Sequence, residues 1–130
     1  MGLNYLCDTN TIIYFLQRQF SEAAELYIDE LFKREQPVMS TITEIELLSW
    51  KSVSETDDEI IKKFIGDSKV IELEPAIKMK ASEIRKKTGI KLPDAIIAAT
   101  ALVYNLTLIT RNVKDFKKVG EISIVNPWEM

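Results

Sequence analysis

The sequence contains no histidine and only one cysteine among its 130 residues. The absence of histidine excludes Ser-His and Cys-His nucleophile systems, most zinc sites and the most common general base. The single cysteine, Cys7, excludes an internal disulfide, and its place in the apolar run LNYLC predicts a buried strand residue with no catalytic role. Any catalysis must therefore use carboxylates, lysines, hydroxyl groups or a bound metal ion.

Glycine and proline are also scarce, with four of each, and no apolar run approaches the roughly 20 residues of a membrane span. A composition of 46% hydrophobic and 28% charged residues is typical of a globular domain, which excludes a disordered or low-complexity chain. The N-terminus lacks the basic region and apolar core of a signal peptide. We therefore expect one domain, residues 1–130, in the cytoplasm and without a membrane segment.

The net charge of −3 conceals an uneven distribution. Residues 1–75 carry 7 basic and 15 acidic side chains, whereas the rest of the chain carries 10 and 5. Six of these basic side chains fall within residues 78–91, interrupted by one glutamate. Such a cluster can bind phosphate groups, with Arg85, Lys86 and Lys87 at its centre, or it can be a solvated helix face.

Strand and helix patterns alternate along the chain. Short apolar runs predict strands at residues 3–7, 37–41, 69–74, 107–110 and 122–125. Helical periodicity and helix-start signals predict helices at residues 9–19, 21–35, 41–50, 56–67 and 75–89, and in the apolar stretch that begins with Pro93. This alternation predicts an α/β domain with a central, mostly parallel sheet, in which ligands bind beyond the carboxyl ends of the strands.

Asp94 stands directly after Pro93 in the segment KLPDAIIAATALVY, where nine apolar residues and one threonine follow it without another charge. A helix that is apolar on every side is buried, so the carboxylate should lie at the mouth of the core. The helix dipole contributes only about 0.3 to 1 kcal/mol, whereas an uncompensated buried charge costs several kcal/mol. A partner cation is therefore expected, with a simple dipole role as the alternative.

Three more carboxylates fall at the same predicted edge of the sheet. Asp8 ends the first strand, where a helix N-cap is the structural alternative. Glu46 lies mid-helix beside an apolar stripe, with a surface ion pair as its alternative, because a capping box with Thr41 already accounts for Glu44. Asp115 follows the fourth strand, where a turn capped by Asn112 is the alternative.

Converging carboxylates raise one another's pKa unless a cation lies among them. Oxygen-only sites without histidine or cysteine favour Mg²⁺ or Mn²⁺ over zinc. With a phosphate substrate, such ions activate water and stabilise the leaving oxygen. The sequence therefore predicts metal-assisted phosphodiester chemistry.

Four segments, CDTN, STITEIELL, LPDAIIAATA and LITRNVKDF, resemble in order and spacing the four conserved blocks of PIN domains. The short length is similar to that of VapC-type toxins of prokaryotic toxin–antitoxin pairs, and the resemblance covers nearly the whole chain. It implies a PIN-like three-layer α/β/α sandwich and a metal-dependent endoribonuclease. The implied catalytic residues are Asp8, Glu46, Asp94 and Asp115.

The resemblance assigns further roles. The implied metal ligands are Asp8, Asp94 and Asp115. The polar residues expected to orient them are Thr9, Asn10, Thr110 and Asn112. The basic cluster, rather than the resemblance, gives Arg85, Lys86 and Lys87 as predicted RNA-binding residues, and Arg111 is predicted to bind RNA with them. An antitoxin partner and a homodimer are also implied.

Two positions depart from the family pattern. Trp50 stands where the second block often has glycine, and Glu44 adds an acid that competes with Glu46 for the role of ligand. Two other functions compete with the ribonuclease. A PIN-like protein that binds RNA or a partner without cleaving is one. A Mg²⁺-dependent phospho-accepting receiver is the other, and the residue after the late strand argues against it because Arg111 replaces the usual lysine.

The two N-terminal helices carry more large apolar side chains than one sheet face is expected to bury. An excess of this kind marks an interface, and we predict an exposed groove at Phe20 and Tyr27 that takes an apolar segment of the antitoxin. The alternative is that both side chains complete the core.

Overall fold

In a computed structural model, which describes residues 3–51 and 54–130, short strands alternate with helices as the sequence predicts. The strands are β1 (Tyr5–Cys7), β2 (Val38–Ser40), β3 (Lys69–Ile71), β4 (Thr107–Ile109) and β5 (Ile124–Val125). The α-helices of the described residues are α1 (Thr9–Leu16), α2 (Glu22–Arg34), α3 (Thr41–Ser49), α4 (Glu55–Gly66), α5 (Pro75–Thr88), α6 (Leu92–Val103) and α7 (Val113–Phe116).

Every strand pair of the structure is parallel. β4 lies between β1 and β5, with Cys7 opposite Ile109 in the register, and β2 pairs with β3. β1 also contacts β2, so the strands follow the order β3-β2-β1-β4-β5 in two hydrogen-bonded groups. The predicted parallel α/β architecture is confirmed, and all the carboxyl ends of the strands meet at one edge.

The strands bury side chains on both faces of the sheet, which creates two separate cores. Leu6 and Leu108 belong to the core beneath α5 and α6, whereas their neighbours Cys7 and Ile109 belong to the core beneath α1, α2 and α4. This division follows from the two-residue period of a strand, because successive side chains point to opposite faces. The result is three layers, with helices on either side of the sheet.

Helix α6 is the most deeply buried helix, as its sequence predicts. Residues 95–101 are all buried, and the alanines among them allow α6 to pack closely against α5. The helix starts one residue earlier than predicted, because the backbone of Lys91 is extended and Leu92 is already helical. No helix among the described residues is long and apolar enough to cross a membrane.

Helix α3 starts without the predicted capping box. Ser40, the last residue of β2, still has extended backbone angles and its side-chain oxygen accepts a hydrogen bond from the Thr43 amide at 3.2 Å. Thr41 is therefore already helical, and its pairing with Glu44 is wrong. The strand passes directly into the helix, which brings α3 close to the edge of the sheet.

Candidate active site

A cleft of about 350 Å³ opens at the carboxyl edge of the sheet, between the first turns of α1 and α6 and the middle of α3. Its lining residues are Asp8, Thr9, Asn10, Ile13, Glu46, Trp50, Asp94 and Ile97. A larger hollow of about 490 Å³ lies at the opposite edge, around Asn4 and Asn105. Chemistry rather than size identifies the first cleft as the site, because three of the predicted catalytic acids line it.

Asp8 is the most buried of these acids, with 8% of its surface exposed. Its Oδ1 accepts hydrogen bonds from the Thr11 amide at 3.0 Å and the Thr11 hydroxyl at 2.7 Å, and its Oδ2 accepts one from the Thr110 hydroxyl. Burial raises the pKa of the Asp8 carboxyl above its ordinary 3.8, the hydrogen bonds from both threonines oppose that shift, and the charge of Glu46 adds to it. Asp8 is thus both the N-cap of α1 and a carboxylate at the site.

Thr11 is a site residue that the sequence reasoning missed. It is fully buried, and its hydroxyl lies 2.7 Å from Asp8 Oδ1 and 2.9 Å from the carbonyl oxygen of Ile109. The third residue after an N-cap usually donates its amide to the cap, and a hydroxyl there can donate as well. A threonine three residues after Asp8 was the signal that could have found it.

Glu46 reaches the cleft from α3 and accepts a hydrogen bond from the Thr9 hydroxyl. The hydroxyl of Thr9 also lies 3.2 Å from that of the fully buried Thr43, so three side chains from α1 and α3 are linked. Glu44 lies in the first turn of α3 and does not line the cleft. The structure therefore favours Glu46 over Glu44 as the acid of this block.

Asp94 lies in the first turn of α6 and is half-buried. Burial raises the pKa of the Asp94 carboxyl most, and the charges of Asp115, Asp8 and Glu46 raise it further, while Lys91 lowers it. No side chain or amide of the described residues donates a hydrogen bond to this carboxylate. Asp94 is the acid whose charge the fold compensates least.

Asp115 borders the cleft without lining it. Asn112 caps α7 by accepting a hydrogen bond from the Asp115 amide at 3.4 Å, and its Nδ2 donates to Asp115 Oδ2 at 3.2 Å. Lys118 forms an exposed ion pair with Asp115 at 3.6 Å. Asp115 is close enough for its charge to raise the pKa of Asp94, but its role as a ligand stays a prediction.

The predicted RNA-binding side chains are all exposed. Arg85, Lys86 and Lys87 occupy the last turn of α5, just before the loop that leads to Asp94, and Arg111 directly follows Thr110. Gly89 ends α5 with φ 69°, a left-handed conformation that glycine adopts readily because it has no side chain. The loop is thus sharply turned, and the basic side chains stand near the mouth of α6.

The predicted groove at Phe20 and Tyr27 is not present in that form. Phe20 packs edge-on against Trp128 with ring centroids 4.7 Å apart, and Tyr27 is half-buried. The short turn Pro127–Glu129 covers the apolar surface that the sequence left without a partner. Sequence periodicity could not reveal this, because the covering residue lies more than a hundred positions away.

The donors of the cleft fit a divalent cation of the Mg²⁺ or Mn²⁺ type. Within residues 3–51 and 54–130, no three acidic or cysteine side chains are grouped closely enough to enclose an ion. Mg²⁺ ordinarily keeps several water molecules and binds only one or two carboxylates, so a closed cage is not required. Asp8 Oδ2 retains a free lone pair beside its bond from Thr110, and within the described residues no group donates a hydrogen bond to either oxygen of Asp94.

Comparison with known proteins gives a family match over most of the chain. The model of the PIN domain family matches residues 5–122. The chain is 32% identical over 126 residues to ribonuclease VapC1 of Haemophilus influenzae strain R2866. The aligned region covers 91% of this chain and 93% of that protein.

Solved structures have the same fold. VapBC-1 from nontypeable Haemophilus influenzae superposes with a TM-score of 0.79 at 27% identity and covers 98% of this chain and 100% of the other. DNA-bound VapBC from Salmonella typhimurium has a TM-score of 0.82 at 24% identity and covers 96% of this chain and 98% of the other. A toxin–antitoxin complex from Klebsiella pneumoniae has a TM-score of 0.75 at 28% identity, with 98% and 100% covered.

The raised pKa values of Asp8 and Asp94 predict how stability depends on pH. Because folding raises both values, the folded chain binds more protons than the unfolded chain just above pH 4, and stability falls as pH rises through that window. The variant Asp94→Asn removes one of the two groups. As pH rises from 4 to 7 in the absence of metal, the melting temperature of this variant should increase relative to that of the wild type. A difference between the two proteins that stays constant over this range would contradict the assignment.

Proposed function

Since the chain belongs to the PIN domain family, we propose that it is the ribonuclease toxin of a toxin–antitoxin pair and that it cleaves RNA with the help of a divalent cation. The observation that carries the proposal is the Asp94 carboxylate, which receives no hydrogen bond from the described residues and lines one cleft with Asp8 and Glu46. A cluster of like charges without a cation is costly in a partly buried site, and a divalent ion removes that cost.

The residues of the cleft divide the work of hydrolysis between them. A divalent cation, when bound here, supplies Lewis-acid activation of the phosphate and of water. Asp8 and Asp94 would hold it, and the hydroxyls of Thr11 and Thr110 keep the Asp8 carboxylate in a fixed orientation. Glu46, oriented by Thr9, is the carboxylate placed to accept a proton from the attacking water, which suits a chain without histidine.

The proposed substrate is RNA, bound through its phosphates. An acidic cleft repels a polyanion, so binding requires cations beside it. The exposed side chains of Arg85, Lys86 and Lys87 supply three, and Arg111 supplies a fourth at the end of β4. Arg85 also donates its Nε to the carbonyl oxygen of Ile90 at 3.3 Å, which orients its guanidinium near the loop before α6.

The proposed protein partner is an antitoxin, as in the similar complexes. Ile45 and Leu48 are each 54% exposed and lie three residues apart on one face of α3, next to Glu46. Ile60 is 46% exposed on α4, which packs against α3. An apolar segment bound on this surface would lie beside the cleft and could direct a basic side chain to its acids. The homodimer stays a prediction.

A cleavage assay tests the catalytic proposal. Asp94→Asn keeps the shape of the side chain and relieves repulsion, so it should fold and yet lose cleavage of an RNA oligonucleotide in Mg²⁺ by on the order of 10²-fold or more. Glu44→Gln is the matched control, because it removes an acid from the same region outside the cleft. Cleavage that persists in EDTA would overturn the metal requirement, and RNA binding without cleavage by the wild type would favour the non-cleaving alternative.

Thermal unfolding gives a second readout that does not depend on activity. Mg²⁺ should raise the melting temperature of the wild type and of Glu44→Gln, because an ion that binds only the folded state stabilises it. Asp94→Asn should gain much less. Equal shifts in all three proteins would exclude Asp94 as a ligand.

The basic end of α5 makes a prediction about salt dependence. In the inactive Asp94→Asn background, changing Arg85, Lys86 and Lys87 to Gln should reduce the slope of log affinity against log salt by about 2, since each phosphate contact on a single strand contributes roughly 0.7. The control changes Lys33, Lys62 and Lys63 to Gln, which removes the same charge from helices of the opposite layer. If both triple variants have the same salt slope as the Asp94→Asn parent, the α5 cluster is a solvated face.

The exposed surface of α3 and α4 makes a prediction about the antitoxin. Leu48→Asp with Ile60→Asp should weaken antitoxin binding by about tenfold or more, the usual effect of losing a buried interface contact. RNA cleavage by the free protein should persist, because neither side chain lines the cleft. Met79→Asp, at a side chain that is 73% exposed on α5, is the control. A larger loss of binding in the control would place the interface on the other layer.

A further inference from the structure

Arg111 and Trp128 meet at the same edge of the sheet as the cleft. Arg111 follows Thr110 just beyond β4, and Trp128 lies three residues beyond the end of β5. β4 runs between β1 and β5, and the Thr110 hydroxyl donates to the Asp8 carboxylate. Because neighbouring strands are about 4.8 Å apart, the pair lies within a few strand spacings of Asp8.

The guanidinium of Arg111 lies over an aromatic ring and uses none of its donors to do so. Its Cζ lies 5.7 Å from the centroid of the Trp128 ring, within the range of a cation–π contact. In the part of the chain that the structure describes, Arg111 forms no ion pair and its side chain donates no hydrogen bond. Five N–H donors are therefore held in place beside an acidic site and remain free for a ligand.

The Trp128 ring is itself fixed by Tyr14 and Phe20. We term these three residues the aromatic cluster. Tyr14 packs on Trp128 with ring centroids 4.9 Å apart and Phe20 with centroids 4.7 Å apart, both edge-on. The Trp128 amide donates to Asn126 Oδ1 at 3.0 Å. The indole Nε1 is shut off from solvent and has no acceptor among the described residues. Ring packing rather than an indole hydrogen bond therefore sets the orientation of Trp128.

A guanidinium in this state is suited to phosphate. Had Arg111 been fixed by a carboxylate, its donors and its charge would have been consumed, whereas stacking on a ring leaves both available. We propose that Arg111 binds a backbone phosphate of the RNA next to the scissile one, and that Trp128 is the positioning residue that orients Arg111 for it. This inference rests on the proposed ribonuclease function, and it goes beyond it by giving the aromatic cluster a role in substrate binding.

RNA binding in the inactive Asp94→Asn background tests the pair, with a single-stranded RNA oligonucleotide as the probe over a range of salt concentrations. Arg111→Gln should raise Kd several-fold and reduce the salt slope by about 0.7, the contribution of one phosphate contact. Trp128→Leu should reproduce both effects although it removes no charge, and Trp128→Phe, which keeps an aromatic face, should restore most of the affinity. The double variant Arg111→Gln with Trp128→Leu should be no weaker than Arg111→Gln alone, because the two residues act as one unit.

Arg111→Lys provides a test that does not disturb the aromatic cluster. Arg111 is exposed, so the variant should fold, and it keeps the charge but loses the planar group that stacks and binds phosphate in two places. Wild-type affinity in Arg111→Lys, or a Trp128→Leu protein that folds and keeps the full salt slope, would overturn the inference. If the wild-type protein does not cleave RNA and the Asp94→Asn protein does not bind it, the proposed function fails and this inference fails with it. If the parent binds RNA and only these variants have no effect, the inference fails alone.

Discussion

Burial of the Asp8 carboxylate at the end of a central strand requires hydrogen-bond donors from more than one element, and these donors connect the edge of the sheet. Thr11 donates from α1 and Thr110 from the end of β4. Each charge-assisted bond contributes about 1.5 to 3 kcal/mol. Even so, burial outweighs them, since the pKa of Asp8 is still raised. The register of β1 against β4 is therefore coupled to the geometry of the acid, because a shift of one residue would remove Thr110 from it.

The remaining acids are held less well, and the differences define their roles. Glu46 has a single donor from Thr9, and Asp94 has none among the described residues. Asp94 is itself half-buried, but residues 95–101 behind it are the most buried stretch of helix and fix its backbone beside the other acids. The fold thus keeps in one cleft three carboxylates, of which Asp94 receives no hydrogen bond from the described residues, and a cation would offset the cost of their repulsion.

Two of the three acids that line the cleft could be predicted from sequence because one follows a strand and the other opens a helix, whereas Glu46 lies in the middle of α3. Asp8 and Asp94 lie where local pattern alone places them, at a strand end and at the start of an apolar helix. Thr11 stands three residues after Asp8, a local signal, but its second contact, with the carbonyl oxygen of Ile109, joins positions 98 residues apart and has no signal in local sequence. The start of α3 at Thr41 was predicted correctly, but its cap was assigned to Thr41 instead of Ser40, because Ser40 is both the last residue of β2 and the N-cap of the helix. Phe20 was predicted to be an interface residue because Trp128, which packs against it, is distant in the sequence.

The uneven charge of the sequence becomes an uneven charge of the layers. The acidic half of the chain supplies β1 and helices α1 to α4, and the basic half supplies α5 to α7 and the strands β4 and β5. The cleft lies at the seam, with Asp8 and Glu46 from the first half and Asp94 from the second. A polyanion is therefore attracted by the basic helices on one side of the cleft and repelled by the acids that line the cleft.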